Sequence, residues 1–335
     1  MILDGDVLVV RLPNWLGDTV MALPALAALR AARPDALLIA VGPWAPLLTG
    51  QAVADVLLKY PRDGRTRRKL GAAMRAMQPD AVVLLPNSFE SALAARRWGA
   101  RTRLGYDTDM RHAFLTHMVD LPSPRRHQVD EYAGLLEAAD IPVKMERPEW
   151  RLGEDGAAEA EVTTLLTDAG YRGTASLIGL HLGAAFGSSK LWPPASYAEL
   201  IGQLAERGFE SLLMGGPEDL GVAEAVQELA GNRVASTVGR DRAQMLPRLI
   251  ARLGCLVSSD TGVAHLAAAL GVPTVTLFGP TDPHLSAPRG QWVRSIEGPA
   301  PCAPCFLPRC PIDHVCMRAI SAVSVAAAVY EARAA

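Results

Sequence analysis

The sequence has no uninterrupted apolar run of the roughly 18 residues that a membrane-spanning helix needs. Its most apolar region, 263–278, is cut by His265, Gly271 and Pro273, so no transmembrane segment is expected. A basic start is missing as well. Met1-Ile2-Leu3-Asp4-Gly5-Asp6 puts acidic residues where a secretory signal needs basic ones, and the strand-like Val7-Leu8-Val9-Val10 follows directly, which makes the cytoplasm the expected location. No charge of one sign dominates: 33 Lys and Arg stand against 35 Asp and Glu, a formal net charge of −2, so there is no global reason to expect nucleic acid. No short-period repeat is present, against solenoids and propellers. The loop after the first apolar run carries no G-x-G-x-x-G, which counts against a dinucleotide-dependent oxidoreductase.

What is present fits two packed domains. The 335 residues exceed the size at which one core usually stops growing, and with 50% hydrophobic and 20% charged residues the chain is globular rather than disordered. Short apolar runs alternate with segments of helical period, the pattern of an α/β fold with parallel sheets covered by helices. In the first half strands are expected at 7–11, 37–41, 56–58 and 81–85, with helices at 19–33, 65–77, 88–97 and 129–139. After the proline-containing stretch 142–150, a helix at 156–169 leads into strands at 177–181, 211–214, 233–236, 256–259 and 274–278, separated by helices at 197–207, 220–229, 242–251 and 263–270. The domain boundary is therefore set at 1–155 and 156–335. Doubly wound halves offer ligand crevices at the carboxyl ends of their strands, and the cleft between the domains is the expected active site.

Four loops carry residues suited to chemistry. Leu12-Pro13-Asn14-Trp15-Leu16-Gly17-Asp18 follows the first strand. Asp18 reads either as an N-cap or as a carboxylate able to take a proton from an acceptor hydroxyl, while Gly17 allows close approach of a ligand. His181 to Pro193 contains Gly183, Ala184, Ser188 and Lys190, small residues that expose backbone N–H groups and one lysine that adds positive charge without a metal. In Gly215-Gly216-Pro217-Glu218 the carboxylate of Glu218 suits two ribose hydroxyls, or begins the next helix as a first-turn charge.

The strongest local pattern is Ser258-Ser259-Asp260-Thr261-Gly262, which joins a strand to a small-residue helix that stops at Gly271 and Pro273. Thr261 and Gly262 then lie at a helix N-terminus that favours a diphosphate. Asp260 would repel phosphate and fits a sugar hydroxyl or a cap. His265, one turn inside, is placed either to reach the ligand or to be a hydrogen-bonded core residue.

Two further features are less tied to one loop. Cys302, Cys305, Cys310 and Cys316 form C-x2-C-x4-C-x5-C, for which a structural metal such as zinc, a disulfide, an iron-sulfur centre and plain thiols all remain open, a structural role being favoured. From Arg62 to Arg126 thirteen Lys or Arg face six Asp or Glu, an excess of seven that reads as solvated helix faces or as a surface for an anionic partner.

Taken together, the Asn14-to-Asp18 loop, the 183–192 loop, and Ser259-Asp260-Thr261-Gly262 with His265 resemble the ADP-heptose:lipopolysaccharide heptosyltransferases, glycosyltransferase family 9. The resemblance covers nearly the whole chain, and its order, spacing and cysteine-rich end are most similar to the heptosyltransferase II branch. It implies a GT-B fold of two Rossmann-like domains, the acceptor on the first and the ADP-sugar on the second. It also implies that Asp18 is the catalytic base, Lys190 the donor-phosphate lysine, and Glu218 the acidic residue near the ribose. Asp260, Thr261, Gly262 and His265 match the donor-site motif. The match departs at Gly183-Ala184, where some relatives carry threonines, and at Ser188-Ser189.

The implied reaction is an inverting single displacement that needs no metal cofactor, with an ADP-sugar donor and an anionic lipopolysaccharide core acceptor, at the cytoplasmic face of the inner membrane. Two other functions share parts of this pattern. A nucleotide-sugar epimerase or hydrolase needs the diphosphate turn and no acceptor, and a metal or redox module needs only the cysteines.

Overall fold

The structure is a computed structural model and describes residues 2–173, 176–231, 234–240 and 242–334. It divides into two compact units, Met1–Arg151 and Leu152–Ala335, so the division falls just ahead of the helix whose start served as the boundary in the sequence.

In the first unit β1 (Val7–Arg11) leads through α1 (Leu16–Met21) and α2 (Leu23–Ala32) to β2 (Leu37–Gly42) and β3 (Val56–Lys59). There follow α3 (Gly64–Ala76), β4 (Ala81–Leu84), α4 (Phe89–Arg97), β5 (Thr102–Tyr106), β6 (His117–Val119) and α5 (Gln128–Glu137). The strands form one parallel sheet in the order β3-β2-β1-β4-β5-β6. Val9 of the central strand pairs with Ile39 on one side and Val82 on the other. Helices on both faces explain why β1 reads as a continuous apolar run rather than an alternating one. The single helix expected at 19–33 is two, meeting at Ala22. Pro24 has no N–H to give to the carbonyl one turn back, and is accommodated instead in the first turn of α2.

The second unit opens with α6 (Gly156–Asp168), β7 (Leu177–His181), α7 (Pro194–Glu206), β8 (Glu210–Met214), α8 (Leu220–Leu229), β9 (Ala235–Ser236) and α9 (Leu246–Ala251). It continues through β10 (Cys255–Ser259), α10 (Gly262–Ala269), β11 (Thr274–Phe278), α11 (Pro283–Ser286), β12 (Val293–Glu297), α12 (Val315–Ala319) and α13 (Ala322–Ala334). Arg233, the first residue of the strand expected at 233–236, lies outside the described residues. The helix expected from residue 242 starts at Leu246, where Pro247 presets the first turn.

This sheet is also parallel, in the order β12-β11-β10-β7-β8-β9. Each unit therefore reverses direction between its first and fourth strands, at β1/β4 and at β7/β10. At such a switch point the loops leaving adjacent strands diverge and open a crevice at their carboxyl ends. The loops after β1, β7 and β10 carry candidate residues, and Glu218 follows β8, the neighbour of β7. Beneath the second crevice Trp192 and Tyr197 meet edge to face at 4.8 Å, and the Trp192 indole N–H donates to the carbonyl of Ile320 at 3.0 Å. That bond anchors the far end of the 183–192 loop to the C-terminal segment.

β7 ends in His181, whose Nδ1 is buried without a hydrogen-bond partner among the described residues. Burial pushes its pKa down from 6.5 to about 4. Between those values the unfolded chain holds a proton that the folded chain does not, so stability is full above pH 6.5 and falls as the pH drops toward 4. The loss attributable to this residue is expected to be about 3 kcal/mol. Denaturant melts of the wild type and of His181→Gln across this range test it, the variant showing a correspondingly flatter profile.

Candidate functional site

The turn between β10 and α10 is built from buried hydroxyls and one ion pair. Every residue of β10 is buried, and so is α10 from Val263 to Ala269. Thr261 occupies the N-cap position in extended conformation, yet its side chain does not cap the helix; its Oγ1 shares a hydrogen bond with Ser258 Oγ at 2.8 Å. No acidic side chain stands in the first turn of α10. The leading N–H groups, at the positive end of the helix dipole, thus receive no cap from Thr261 and face no carboxylate of their own turn.

The Asp260 carboxylate does not cap this helix either. Its Oδ2 accepts from Lys190 Nζ at 2.5 Å and from Thr281 Oγ1 at 2.8 Å. Lys190 Nζ also donates to the Asp260 backbone carbonyl at 2.9 Å, and Ser259 Oγ donates to the Lys190 carbonyl at 2.6 Å. Both charges are buried, Lys190 7% and Asp260 8% exposed, and the ammonium lies 4.8 Å from the centre of the Phe186 ring. An ammonium has three N–H donors; Asp260 takes two.

The rest of the 183–190 loop is held from two directions. Asp219 accepts from the Gly216 N–H at 2.9 Å, and its carboxylate lies so near Gly183 and Gly215 that a Cβ there would come within 2.4 and 2.7 Å of Oδ2. Both glycines are required by this approach. Burial, the bond to Gly216 working against it, holds the Asp219 carboxyl above the usual carboxylate range. Glu218, the residue singled out from the sequence, is exposed, its carboxylate folded over Gly216. Ser188 is exposed, Ala184 half-buried and His265 buried within α10.

On the other side the cysteine-rich segment braces the loop. Ser189 donates to the Leu307 carbonyl at 2.6 Å through its hydroxyl and to the Pro308 carbonyl at 3.2 Å through its N–H. A Cβ at Gly187 would sit 2.1 Å from that Pro308 oxygen. The cysteines themselves carry free thiols and form no disulfide. Cys310 Sγ accepts from the His314 N–H at 3.3 Å, and Cys316 is buried against Gly279, where burial pushes its thiol pKa up. Among the described residues no three His, Cys, Asp or Glu side chains converge as a metal would require.

In the first unit, Arg11 ends β1 and organises the loop that follows. It is 1% exposed, stacks over Tyr60 at 4.1 Å, donates to the carbonyl of Leu12 and to Asn14 Oδ1 at 2.7 Å. The Trp44 indole N–H donates to the Asn14 carbonyl at 3.2 Å. Desolvation holds the Arg11 guanidinium below its ordinary pKa, and its Nε is buried without a partner among the described residues. Helix α1 begins at Leu16 with Trp15 at the N-cap, so Asp18 is a first-turn residue and not the cap. Gly17 is buried and Asp18 half-buried. The buried phenol of Tyr132 has its pKa raised first by burial and next by the charge of Asp18.

The basic stretch resolves into two populations. Arg111 is fully buried and donates to the Tyr106 and Pro86 carbonyls and to Ser91 Oγ. Arg103 ties to the carbonyls of Phe114 and Ala100, and Arg125 pairs with the buried Glu131 at 2.6 Å. These hold the unit together. Arg62, Arg65, Arg68, Lys69, Arg75, Arg96 and Arg97 are exposed. Arg11, Asp219 and Thr281 were not singled out in the sequence. A glycine pair followed by two carboxylates was the one local signal available for Asp219.

The chain was compared with known proteins. The sequence profile of glycosyltransferase family 9 (heptosyltransferase) matches residues 67–316. Lipopolysaccharide heptosyltransferase 2 of Salmonella typhimurium is 30% identical over 304 residues, spanning 85% of this chain and 86% of the relative. Its counterpart of Escherichia coli K12 is 29% identical over 307 residues, with 85% and 86% covered. The solved structure of the E. coli ADP-heptose lps heptosyltransferase II superposes with a TM-score of 0.81 at 27% identity, covering 98% of each chain. Two parallel six-stranded Rossmann-like units and this likeness assign the GT-B fold. With a family match across most of its length, the chain belongs to glycosyltransferase family 9, the heptosyltransferases.

Proposed function

We propose that the protein transfers heptose from an ADP-heptose donor to the inner core of lipopolysaccharide, in the manner of heptosyltransferase II, and works at the cytoplasmic face of the inner membrane. The observation that carries the donor half is the Lys190–Asp260 pair beside the open N-terminus of α10. A diphosphate finds there one free ammonium N–H, uncapped backbone N–H groups and a favourable dipole, the elements that stabilise charge developing on a leaving ADP. The names of the relatives, which include lipopolysaccharide heptosyltransferases from two enterobacteria, support heptose as the sugar. The excess of positive charge between residues 62 and 126 supports an anionic acceptor.

In this reading the reaction is a single displacement with inversion. An acceptor hydroxyl oxygen attacks the anomeric carbon, the bond from that carbon to the β-phosphate oxygen breaks, and ADP departs with the electron pair. Asp18 takes the hydroxyl proton. Its place in the first turn of α1, just after the loop that Arg11 fixes, supports this role, and its carboxylate is half-buried rather than enclosed. Lys190 and the α10 N–H groups meet the charge on the departing diphosphate, Thr261 and Gly262 lining the turn and Glu218 offering acceptors for ribose hydroxyls. The chemistry asks for no metal cofactor, because the lysine and the helix supply the positive field.

Product analysis with ADP-heptose and a panel of truncated lipopolysaccharide acceptors tests the proposal. Transfer to an inner-core acceptor is expected, and conversion of ADP-heptose without acceptor at the same rate would overturn it in favour of an epimerase or hydrolase. Asp18→Asn is expected to lower kcat roughly 10²- to 10⁴-fold while leaving ADP affinity near that of the wild type. Lys190→Met is expected to lower kcat/KM roughly 10²- to 10³-fold, the range for loss of one charge-stabilising donor. Because that variant leaves Asp260 facing the phosphates unpaired, the double variant Lys190→Met with Asp260→Asn is expected to bind ADP more tightly than Lys190→Met alone. Calorimetry of the three proteins measures the coupling.

A further inference from the structure

None of the residues placed in the transfer step, Asp18, Lys190 and the α10 turn, lies on the face where α3 meets α4. On α3, Arg67, Arg68, Gly71, Ala72 and Arg75 fall on one stripe, since residues three and four apart share a helix face. Leu93, Ala94 and Arg97 form the matching stripe on α4. Packed helices ordinarily fill such a seam with interlocking apolar side chains. Here glycine and alanine occupy its middle and arginines its edges, and a groove of about 750 Å³ remains, closed off by Tyr60 and Trp98. α3 itself buries only Met74, and Met77 at its C-cap is 39% exposed.

The groove is positive and only partly compensated from within. Its carboxylate, Glu90, accepts from the Tyr60 hydroxyl and lies 3.6 Å from Arg67. Arg68, Arg75 and Arg97 are exposed, and among the described residues none has a carboxylate within ion-pair distance. Arg68 and Arg75 stand seven residues apart, about 10 Å along the helix at 1.5 Å per residue, too far for one phosphate to engage both. The occupant must therefore offer several separated anions together with apolar surface for the floor. Nucleic acid is poorly served, because Tyr60 and Trp98 are buried, 5% and 2% exposed, and present no face on which bases could stack.

We propose that the α3–α4 groove docks the protein on an anionic phospholipid surface, Arg68, Arg75 and Arg97 meeting headgroup phosphates and the Gly71-Ala72-Ala94 floor lying against the apolar boundary beneath them. This extends the membrane-face placement proposed for the enzyme, but its test needs neither donor nor acceptor, so its failure would leave the transfer reading standing.

Flotation of the whole protein with vesicles of phosphatidylcholine containing phosphatidylglycerol, against vesicles of phosphatidylcholine alone, is the experiment. Binding is expected only to the anionic vesicles, weakening as salt rises. The triple variant Arg68→Gln, Arg75→Gln, Arg97→Gln, verified as folded by circular dichroism, is expected to partition about a hundred-fold less. The proposal is overturned if the wild type ignores anionic vesicles or if the triple variant binds them equally well. Inorganic phosphate displacing the protein at matched ionic strength would also overturn it, in favour of a discrete phosphate site. So would tighter binding to single-stranded RNA than to the vesicles.

Discussion

The second unit is organised around a buried ion pair. Removing a lysine and an aspartate from water costs several kcal/mol for each charge unless the geometry is good and the remaining donors and acceptors are satisfied. At Lys190 and Asp260 that condition is met from several directions: the ammonium reaches both the carboxylate and the carbonyl of Asp260, Thr281 adds a second donor to Oδ2, and Ser259 fixes the Lys190 backbone. The lysine must also be delivered there by a loop that has no regular structure of its own beyond a single 3-10 turn. Asp219 clamps the start of that loop against Gly183, Pro308 closes on Gly187, and Trp192 pins its end to Ile320. The cysteine-rich segment thereby has a structural task that its thiols do not perform. It is the Leu307 and Pro308 carbonyls that touch the loop.

The two units share one topology and differ in what they place at the switch point. In the first, the loop after β1 enters a helix whose first turn contains Asp18, a negative charge at the positive end of the dipole. That arrangement stabilises an ionised carboxylate and repels an anion. In the second, α10 has no acidic residue in its first turn, no side-chain cap from Thr261, and mostly small residues. That arrangement leaves the same dipole available to a ligand. A single difference in first-turn chemistry thus separates a helix start that carries its own negative charge from one that carries none, on sheets of the same strand order.

Much of this was legible in the sequence because it is local. Continuous apolar runs bounded by turns gave β1, β7 and β11 at their observed limits, and the passage from Ser259 into a small-residue helix marked the turn between β10 and α10. What was not legible depends on neighbours distant in the chain. β5, β6 and β12 were missed because they carry polar residues or are very short. Their strand character comes from pairing with a sheet already formed. The C-terminal helix α13 is alanine-rich with no sharp polar face, so periodicity did not announce it. Asp219 and Thr281 resemble any turn residues until the Gly183 loop and Asp260 are brought to them. Arg11 reads as the end of a strand, and only the fold places its guanidinium over Tyr60 and against Asn14. The helix starts of α1 and α10 were displaced by one to three residues in the sequence, and that shift decided whether Asp18 was a cap.

The ion pair also limits the electrostatic field that its two charges can project. Lys190 and Asp260 cancel at distances larger than their separation, so the pair contributes little to the field sensed by an approaching diphosphate. Any attraction it exerts on an anion is confined to the range of a hydrogen bond, through the remaining ammonium N–H, which makes it directional. Long-range attraction has to come from charges that are not compensated. With a net charge of −2 the whole chain supplies none, whereas the exposed arginines of α3 and α4 do, within the Debye length of about 8 Å at physiological salt. The buried arginines of the same stretch contribute structure instead: Arg111 and Arg103 spend their donors on carbonyls, and Arg125 on Glu131. The contrast follows from one physical fact: burial with a partner removes a charge from the field, as at Lys190 and Arg125, and exposure without one leaves it there, as at Arg68, Arg75 and Arg97.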